Sequence, residues 1–484
     1  MSRHAAYIAV HGGAGMHSHA REKEVKQALR LACKAALKDP TTPKVEADDS
    51  NHIPLDMVGD AIAILEDDPH LNAGKSRLPA RGFPHTEMRR LSQIEGYGSN
   101  LSLHGTVECD AAIMDGLSGG FGSVGAVSGV KNPIRLACAI LEYSKVPDPL
   151  GRIPPLTLVS EGARAFAAAN DAHRTIETVP ADSLVSPKAK DDWMKWRTRL
   201  ERGVPIDQTD LASLADVQDT VGAVACQNAD AVAAGVSRVL GSVLFGGTNK
   251  NGLQYIRCVV SDEKNVFQNP MHFLDEGAGE HITRAMLART IAESFQFAIA
   301  KTEDVDVHDI LYHVLLEKFL APCQKRGVID PEVGVLLLTS EETGDKTNGG
   351  YFVARDQASQ AHDVEVRLWC AFTTSSMAIA YASSVNPNPK AQILRRTKTM
   401  DSRGTSEPLA VLGVPLPIVA LCGRPPSRAA FAPLVAEIRP GAGVAAGRAW
   451  GVLDADREGA QLAADNIGRA AFSRWRVFIG NLVL

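Results

Sequence analysis

Short apolar runs and helical periodicities alternate along the first part of the chain. Residues 7–10 form a short apolar run followed by glycines, which predicts a buried strand. Residues 21–37 repeat apolar side chains at helical spacing, which predicts an amphipathic helix. A second helix is expected over residues 55–66, because Pro69 prevents its continuation.

Strand-like segments then follow in quick succession, separated by glycine-rich turns. They cover residues 101–103, 109–114 and 122–128, and a helix is expected to begin near Pro133. Residues 186–218 differ, because basic side chains are mixed with acidic and polar ones and the periodicity is poor. This pattern is typical of a solvated linker or a helical tether.

The second half of the chain starts with a hairpin pattern. Two short apolar runs at 221–225 and 231–236 flank a polar turn, which predicts a β-hairpin. Helices are expected near 280–300 and 307–320, and strands at 333–339 and 364–371. From about residue 401 onwards proline, glycine, alanine and arginine dominate, and no role is predicted for this tail. The order of elements favours an α/β fold in which two stacked sheets are covered by helices on both outer sides.

Composition narrows the possible functions. The chain has 484 residues, 45% of them apolar, which is enough for a large core and suggests two or three domains. Charged residues make up 22% and the formal net charge is −5, so direct nucleic-acid binding and membrane-surface binding are not expected. The apolar run at 5–10 is too short for a secretion signal, and no stretch approaches a membrane span.

The cysteines indicate a reducing compartment. The eight cysteines are scattered and contain no CxxC pair, so neither a zinc site nor a disulfide framework is predicted. We therefore expect an intracellular protein, cytoplasmic or nuclear or both, with no metal and no cofactor. The basic residues between 186 and 202 form only a loose cluster, and a solvated helix face is the favoured interpretation of them.

Thr220 begins one of the predicted strands, in the run Asp-Thr-Val-Gly-Ala-Val at 219–224. A threonine hydroxyl is a weak nucleophile until a base removes its proton, and the α-amine of a chain-terminal threonine can be that base. Such an amine ordinarily has a pKa of about 7.7–8.0, which suits proton transfer near neutral pH. The chemistry requires a cut before Thr220, and the polar segment that precedes it makes a cut plausible. The alternative is that Thr220 simply begins a strand, as β-branched residues often do.

Two further motifs have simpler interpretations. The glycine run at 11–15 lacks the Lys-Ser/Thr of a phosphate-binding loop, so its glycines are expected to allow close backbone approach near the active site. The acidic residues at 108–115 could suggest a metal site or a carboxylate pair, but capping, turn and packing roles are favoured for them.

Several runs that accompany Thr220 carry a resemblance to a known family. They read Val-His-Gly-Gly-Ala-Gly at 10–15, Leu-Glu-Asp-Asp-Pro at 65–69, Asn-Ala-Gly at 72–74, Gly-Ser-Asn-Leu at 98–101, Glu-Cys-Asp-Ala-Ala-Ile-Met-Asp-Gly at 108–116, Gly-Arg-Ile-Pro-Pro at 151–155 and Thr-Thr-Ser-Ser-Met at 373–377. With these runs, roughly residues 7 to 395 resemble the threonine aspartases, in the asparaginase-2 branch of the N-terminal-nucleophile hydrolases.

The resemblance implies an αββα four-layer sandwich and a precursor that cleaves itself between Asp219 and Thr220. Cleavage would divide the chain into an α part, 1–219, and a β part, 220–400, followed by the unassigned tail, 401–484. It also implies protein substrates that are cleaved after aspartate, and self-association of αβ units. The hydroxyl of Thr220 would attack the carbonyl carbon while backbone N–H groups hold the oxyanion.

The same resemblance assigns residues to the site. Arg238 would bind the substrate aspartate through charge-assisted hydrogen bonds, and Ser237 is the nearby hydroxyl that would support Thr220. The remaining candidates for substrate binding are Ser99, Asn100, Gly277 and Gly279.

The chain departs from the family pattern in three places. Residues 75–96 are a basic, turn-prone insert in a run that the family writes continuously. A stretch of family residues is missing between Ser237 and Arg238. Acidic residues occupy positions 275 and 276, beside the expected oxyanion site, where carboxylates would repel the developing charge.

Three hypotheses follow. The first is a threonine endopeptidase that self-cleaves and then cuts proteins after aspartate, which the basic segment before Thr220 and the runs at 108–110 and 152–155 favour. The second is an asparaginase or isoaspartyl peptidase that acts on small amides. The third is a catalytically impaired homologue that acts only by binding.

Overall fold

The computed structural model describes residues 5–37, 53–68, 70–71, 101–102, 104–116, 118–169, 176–203, 220–227, 231–239, 281–282, 284–301, 305–328, 331–343, 363–396, 408–416 and 475–483. Twelve strands lie in these ranges: β1 (Ala6–Gly15), β2 (Cys109–Asp115), β3 (Phe121–Val127), β4 (Thr157–Val159), β5 (Thr220–Gln227), β6 (Ala231–Val239), β7 (Gly334–Thr343), β8 (Asp363–Phe372), β9 (Ser376–Ser383), β10 (Lys390–Arg395), β11 (Ala410–Pro415) and β12 (Trp475–Val483).

Eight α-helices accompany the strands in the described ranges: α1 (Glu22–Ala36), α2 (Ile53–Glu66), α3 (Pro133–Ser144), α4 (Ser160–Ala169), α5 (Pro187–Arg202), α6 (Leu287–Lys301), α7 (Val307–His313) and α8 (Ala321–Lys325). A π-helical segment, Val314–Leu320, joins α7 to α8. Pro322 follows this segment and has no N–H for the regular helical hydrogen bond, which favours a local change of helix type.

The strands form two sheets. The first has eight strands in the order β10-β9-β1-β5-β6-β2-β3-β4, and the second has four in the order β11-β8-β7-β12. The pairs in both sheets are antiparallel except for β3 and β4, which are parallel. Strand β5 therefore lies at the centre of the larger sheet, between β1 and β6.

Three apolar cores separate four layers. The first core packs α1, α2 and α3 against one face of the larger sheet. The second lies between the two sheets, where Val224 of β5 and Leu338 of β7 both contribute. The third packs α6 and the 307–325 helical run against the outer face of the smaller sheet. The order is helices, sheet, sheet, helices, which confirms the expected αββα sandwich.

Small residues allow the layers to approach closely. A Cβ added at Gly235 of β6 would lie 2.8 Å from Val58 and 3.0 Å from Ile62, both of α2. At Gly122 of β3, an added Cβ would meet the carbonyl oxygen of Ala137 in α3 at 2.2 Å. Helices α2 and α3 thus pack directly against the backbones of β6 and β3. The packing of α2 also places its C-terminal end against the helix-facing side of β6.

Most predicted elements are present, but some boundaries differ. Residues 101–102 are not a strand, because Gly105 N–H donates to the Ser102 carbonyl at 2.8 Å and forms a turn. The helix expected near 280–300 becomes regular only at Leu287, after Met286 takes a φ of 44°, in the left-handed region.

Two segments without clear periodicity form regular structure. Residues 187–202 of the expected linker form α5, capped by the Ser186 hydroxyl, which accepts from Ala189 N–H at 3.0 Å. Trp193 anchors this helix by donating to the Ser102 carbonyl at 2.9 Å. In the tail, β11 pairs with β8 and β12 pairs with β7, so the tail supplies both edges of the smaller sheet. Within the described ranges, no helix combines the length and apolar character that crossing a membrane requires.

Candidate active site

Thr220 is the first residue of β5 and lies almost entirely inside the protein. Its relative exposure is 2%, and its Oγ1 has no hydrogen-bond partner among the described residues. Burying a hydroxyl without a hydrogen-bond partner costs about 1–3 kcal/mol, so such hydroxyls are rare at positions that serve only packing. The arrangement marks Thr220 as a candidate functional residue.

The face on which Thr220 lies follows from strand alternation. Val224 and Cys226, at even spacing from Thr220, join the core between the sheets, whereas Val221 and Ala223 join the core under the helices. Thr220 therefore points toward the second sheet. Its direct partner on β6 is Arg238, which lies on the same face.

A charged pair extends this face. Arg238 pairs in register with Asp110 of β2, and Arg238 Nε lies 3.8 Å from Asp110 Oδ2. The side chains are 7% and 2% exposed, so both charges are buried. The structure thus brings together Thr220 and the residue predicted to bind the substrate aspartate, and adds a carboxylate that sequence reasoning had assigned to a structural run.

A backbone irregularity holds Asp110 in place. The register of β2 and β3 shifts between Cys109 and Ala111, so an extra residue of β3 faces Asp110. Ala126 takes up this extra length with a φ of 48°, and its N–H donates to Asp110 Oδ1 at 2.8 Å. One oxygen of Asp110 therefore accepts a backbone N–H of the β3 bulge, while its other oxygen faces Arg238.

Ser237 is not brought together with Thr220, contrary to the sequence expectation. Adjacent residues of a strand point to opposite faces, so the pairing of Thr220 with Arg238 turns the Ser237 side chain toward the helices. There the Ser237 hydroxyl approaches the Glu66 carboxyl closely enough to lower its pKa, although without the geometry of a well-formed hydrogen bond. A sheet therefore separates the two hydroxyls.

Glu66 is the last residue of α2 and is fully buried. Its Oε1 accepts from Ile134 N–H at 3.0 Å, at the start of α3. Desolvation raises the pKa of Glu66 to about 8, although Ser237, the Ile134 N–H and Asn132 act in the opposite direction. At neutral pH the Glu66 carboxyl group is mainly protonated. An uncharged carboxylic acid therefore lies on the helix side of β6.

His11 is a second buried titratable group near Thr220. It is 0% exposed, neither ring nitrogen has a hydrogen-bond partner among the described residues, and burial lowers its pKa to about 3. His11 pairs with Gly222 of β5 and, like Tyr7 and Ala9, points toward the second sheet. The imidazole is therefore neutral, and it lies on the same face as Thr220, beside a position two residues further along β5.

The glycine run directly follows His11, whose partner on β5 is Gly222. The register of β1 and β9 shifts between His11 and Ala14, and Gly13 has a φ of 101°, which a side chain would disfavour. The end of the run is fixed by Ser376 of β9, whose hydroxyl donates to the Gly15 carbonyl at 3.0 Å and lies 3.0 Å from His17 Nδ1. These contacts explain why the runs near residues 15 and 376 occur together.

Several predicted positions lie outside the described residues. They are Asp219, Ser99, Asn100, Gly277, Gly279 and the insert 75–96. His11, Glu66 and Asp110 were missed as site residues. Asp110 could have been found by pairing the predicted strands and asking which charged residue faces Arg238, since alternation fixes the face once the register is known.

The αββα sandwich and the buried threonine at the head of its central strand agree with the arrangement that the resemblance to the N-terminal-nucleophile hydrolases implies. Within that class, residues 90–239 match the model of the asparaginase family. This segment contains Asp110, Thr220 and Arg238, and the match supports the asparaginase family for the chain.

Individual relatives agree with the family match. A Danio rerio protein named isoaspartyl peptidase/L-asparaginase is 29% identical over 222 residues, which cover 45% of this chain and 54% of the relative. A plant-type L-asparaginase of Pyrococcus abyssi is 31% identical over 232 residues, covering 47% and 61%. The isoaspartyl peptidase of Escherichia coli is 29% identical over 222 residues, covering 46% and 56%. The chain spans little more than half the length of these curated relatives.

Proposed function

We propose that this chain is a threonine-dependent hydrolase that cleaves itself between Asp219 and Thr220 and then hydrolyses amide bonds of aspartyl substrates. The observation that carries the proposal is the buried Thr220 hydroxyl facing Arg238 across two central strands. The first candidates for substrate are small: isoaspartyl peptides and asparagine. The names of the similar proteins support this choice.

Self-cleavage uses one bond exchange followed by hydrolysis. Thr220 Oγ1 attacks the carbonyl carbon of Asp219, the peptide C–N bond breaks, and the liberated nitrogen becomes the α-amine of Thr220. An ester now joins residue 219 to the threonine hydroxyl. Water hydrolyses the ester, which releases the carboxylate of Asp219 and restores the hydroxyl.

The new α-amine then acts as the general base. It accepts the proton of the Thr220 hydroxyl as that oxygen attacks the substrate carbonyl, and it delivers the proton to the departing amine or ammonia. The oxyanion would be held by backbone N–H groups, for which Gly277 and Gly279 remain our candidates.

Arg238 gives the reaction its preference for aspartyl substrates. A guanidinium offers up to five N–H donors, and two parallel hydrogen bonds to a carboxylate are stronger and more selective than one. Its place beside Thr220 puts the bound carboxylate close to the nucleophile. We further propose that αβ units associate with one another, as the family resemblance implies.

A second candidate function is cleavage of proteins after aspartate. Residues 151–155 favour it, because this run is largely exposed and Ile153 is 93% exposed. Leu150, which directly precedes this run, is 79% exposed. An apolar surface of this kind suits contact with a polypeptide better than with free asparagine.

The test begins with the purified chain. Two fragments split at Thr220 are expected after incubation, and Thr220→Ala should give one intact chain. An intact wild-type chain after several days would contradict the proposal and favour the binding-only alternative. With the split protein, release of ammonia from asparagine and of aspartate from an isoaspartyl dipeptide is compared with cleavage of an aspartate-containing peptide. Turnover of the peptide alone would select the second candidate.

A further inference from the structure

Asp110 is the third member of a row that crosses three strands. Thr220 pairs with Arg238, and Arg238 pairs with Asp110, so the three residues follow one another across β5, β6 and β2. All three lie on the face turned toward the second sheet. Arg238 therefore has the proposed nucleophile, Thr220, on one side and the Asp110 carboxyl group on the other.

The position of Asp110 is set by the backbone. Its Oδ1 accepts the N–H of Ala126 at 2.8 Å, in the bulge of β3 where Ala126 has a φ of 48°. Because this hydrogen bond does not involve Arg238, the carboxylate stays in place whether or not the guanidinium moves toward a ligand. The position of this carboxyl group is a fixed feature of the site.

The contact between Asp110 and Arg238 is mainly one of charge. The distance from Nε to Oδ2 is 3.8 Å, which is longer than a hydrogen bond. Both side chains are buried, so solvent screens their interaction weakly. Asp110 therefore reduces the positive potential of Arg238 without fixing its orientation through that nitrogen.

We propose that Asp110 determines specificity by setting how strongly Arg238 attracts the carboxylate of an acidic substrate. The inference rests on the proposed function, in which Arg238 binds that carboxylate. With Asp110 ionised, the pair is neutral before substrate binds, and aspartate released as product leaves readily. Without this charge, the site carries a net positive charge and binds carboxylates more tightly.

Asp110→Asn separates charge from structure. Asparagine keeps an oxygen that can accept the Ala126 N–H, whereas the charge is removed and the second oxygen is replaced by an NH2 group. Asp115→Asn is the matched control, because Asp115 lies on the same strand but belongs to the opposite face, where its Oδ2 accepts from the Ser118 hydroxyl at 2.6 Å.

The experiment measures binding by calorimetry for L-aspartate and for its diamide, which has no carboxylate. Asp110→Asn is expected to tighten aspartate binding about tenfold, equivalent to about 1.4 kcal/mol, and to leave diamide binding within about twofold. Asp115→Asn should change neither. Unchanged or weaker aspartate binding, or an equal change for both ligands, would overturn the proposal.

The design covers failure to fold and failure of the proposed reaction. If Asp110→Asn does not fold, Asp110→Ser is used instead, because serine removes the charge and keeps a hydroxyl oxygen. The same tightening of aspartate binding relative to diamide binding is expected for this variant. Splitting at Thr220 is read separately on a gel. An uncut, inactive wild type would refute the proposed function, whereas the ratio of aspartate to diamide affinity still tests Asp110.

Discussion

Thr220 and Ser237 lie on opposite faces of the larger sheet, although Ser237 directly precedes the strand partner of Thr220. Thr220 faces the second sheet, and Ser237 faces Glu66 at the end of α2. A hydroxyl on the helix side cannot reach the nucleophile without a one-residue slip of β6, which would turn every side chain of that strand over. Ser237 is therefore linked to the stability of the helix layer rather than to proton transfer.

Ser237→Ala should leave self-cleavage nearly intact. The rate is expected to stay within about threefold of the wild type, a change in activation free energy below about 1 kcal/mol. The variant also loses the group that lowers the pKa of Glu66, so the pKa of Glu66 should rise further. Fragment formation at Thr220, followed by gel electrophoresis, checks the first point. A Ser237→Ala chain as inert as Thr220→Ala would show that the hydroxyl reaches the reaction after all.

Sequence patterns predicted the layers of this fold better than its site. Apolar periodicity and short apolar runs identified β1, α1, β5 and β6, because these elements bury one face or both. The helix α5 was left undecided, since its stability depends on a cap at Ser186 and on the anchoring of Trp193 rather than on an apolar stripe. The tail strands β11 and β12 also lack a clear pattern, and their pairing with the smaller sheet is a long-range contact.

The site could be predicted only where it is local. Thr220 and Arg238 were found from the runs that contain them. The role of Asp110 depends on the register of three strands, and the separation of Ser237 from Thr220 depends on which face of the sheet each one occupies. Register is a property of strand pairing, so a list of motifs does not contain it.

Glu66 should make the protein less stable as pH rises. Its pKa is raised from 4.5 to about 8 in the folded state, so the folded protein retains a proton that the unfolded chain loses. The contribution of this group is therefore fully favourable below about pH 4.5 and is lost as pH rises toward 8, with a slope of up to about 1.4 kcal/mol per pH unit. Denaturant unfolding at several pH values measures this slope.

Glu66→Gln is the matching variant, because glutamine keeps the size and remains neutral. Its free energy of unfolding should not decline between about pH 6.5 and 8, where the wild type does decline because His11 no longer opposes the effect of Glu66. Glu161→Gln, on the surface of α4, is the control and should keep the wild-type slope, because Glu66 is still present. An identical decline in Glu66→Gln would mean that other groups cause it.

Gly122 and Gly162 should respond in opposite directions to alanine. A Cβ at Gly122 would lie 2.2 Å from the Ala137 carbonyl oxygen and 2.6 Å from the Leu141 nitrogen, so α3 would have to move. A Cβ at Gly162, in α4, meets nothing within 4 Å. We expect Gly122→Ala to lower the free energy of unfolding by about 3 kcal/mol or more, and Gly162→Ala to raise it by about 0.5–1 kcal/mol. Equal denaturation midpoints for the two variants would contradict the packing of α3 on β3.

His11 should make the protein more stable as pH rises through the acid range. Burial lowers the pKa of His11 from 6.5 to about 3. Between these two pH values the imidazole is protonated in the unfolded chain but stays neutral in the folded protein. Stability is therefore lost as pH falls from about 6.5 toward 3, with a slope of up to about 1.4 kcal/mol per pH unit. Between pH 4.5 and 6.5 this slope opposes that of Glu66, so the wild type alone shows only their difference.

Single variants resolve the two slopes. His11→Leu removes the ionisable ring and fills similar space, and it should abolish the loss of stability that the wild type shows below about pH 4.5. It should also be at least as stable as the wild type at neutral pH, because a buried N–H without a described partner costs about 1–3 kcal/mol. His19→Leu, at a position whose side chain is 83% exposed, is the control and should keep the wild-type slope. If His11→Leu still loses stability between about pH 4.5 and 3 as the wild type does, His11 is not the group whose protonation destabilises the folded protein.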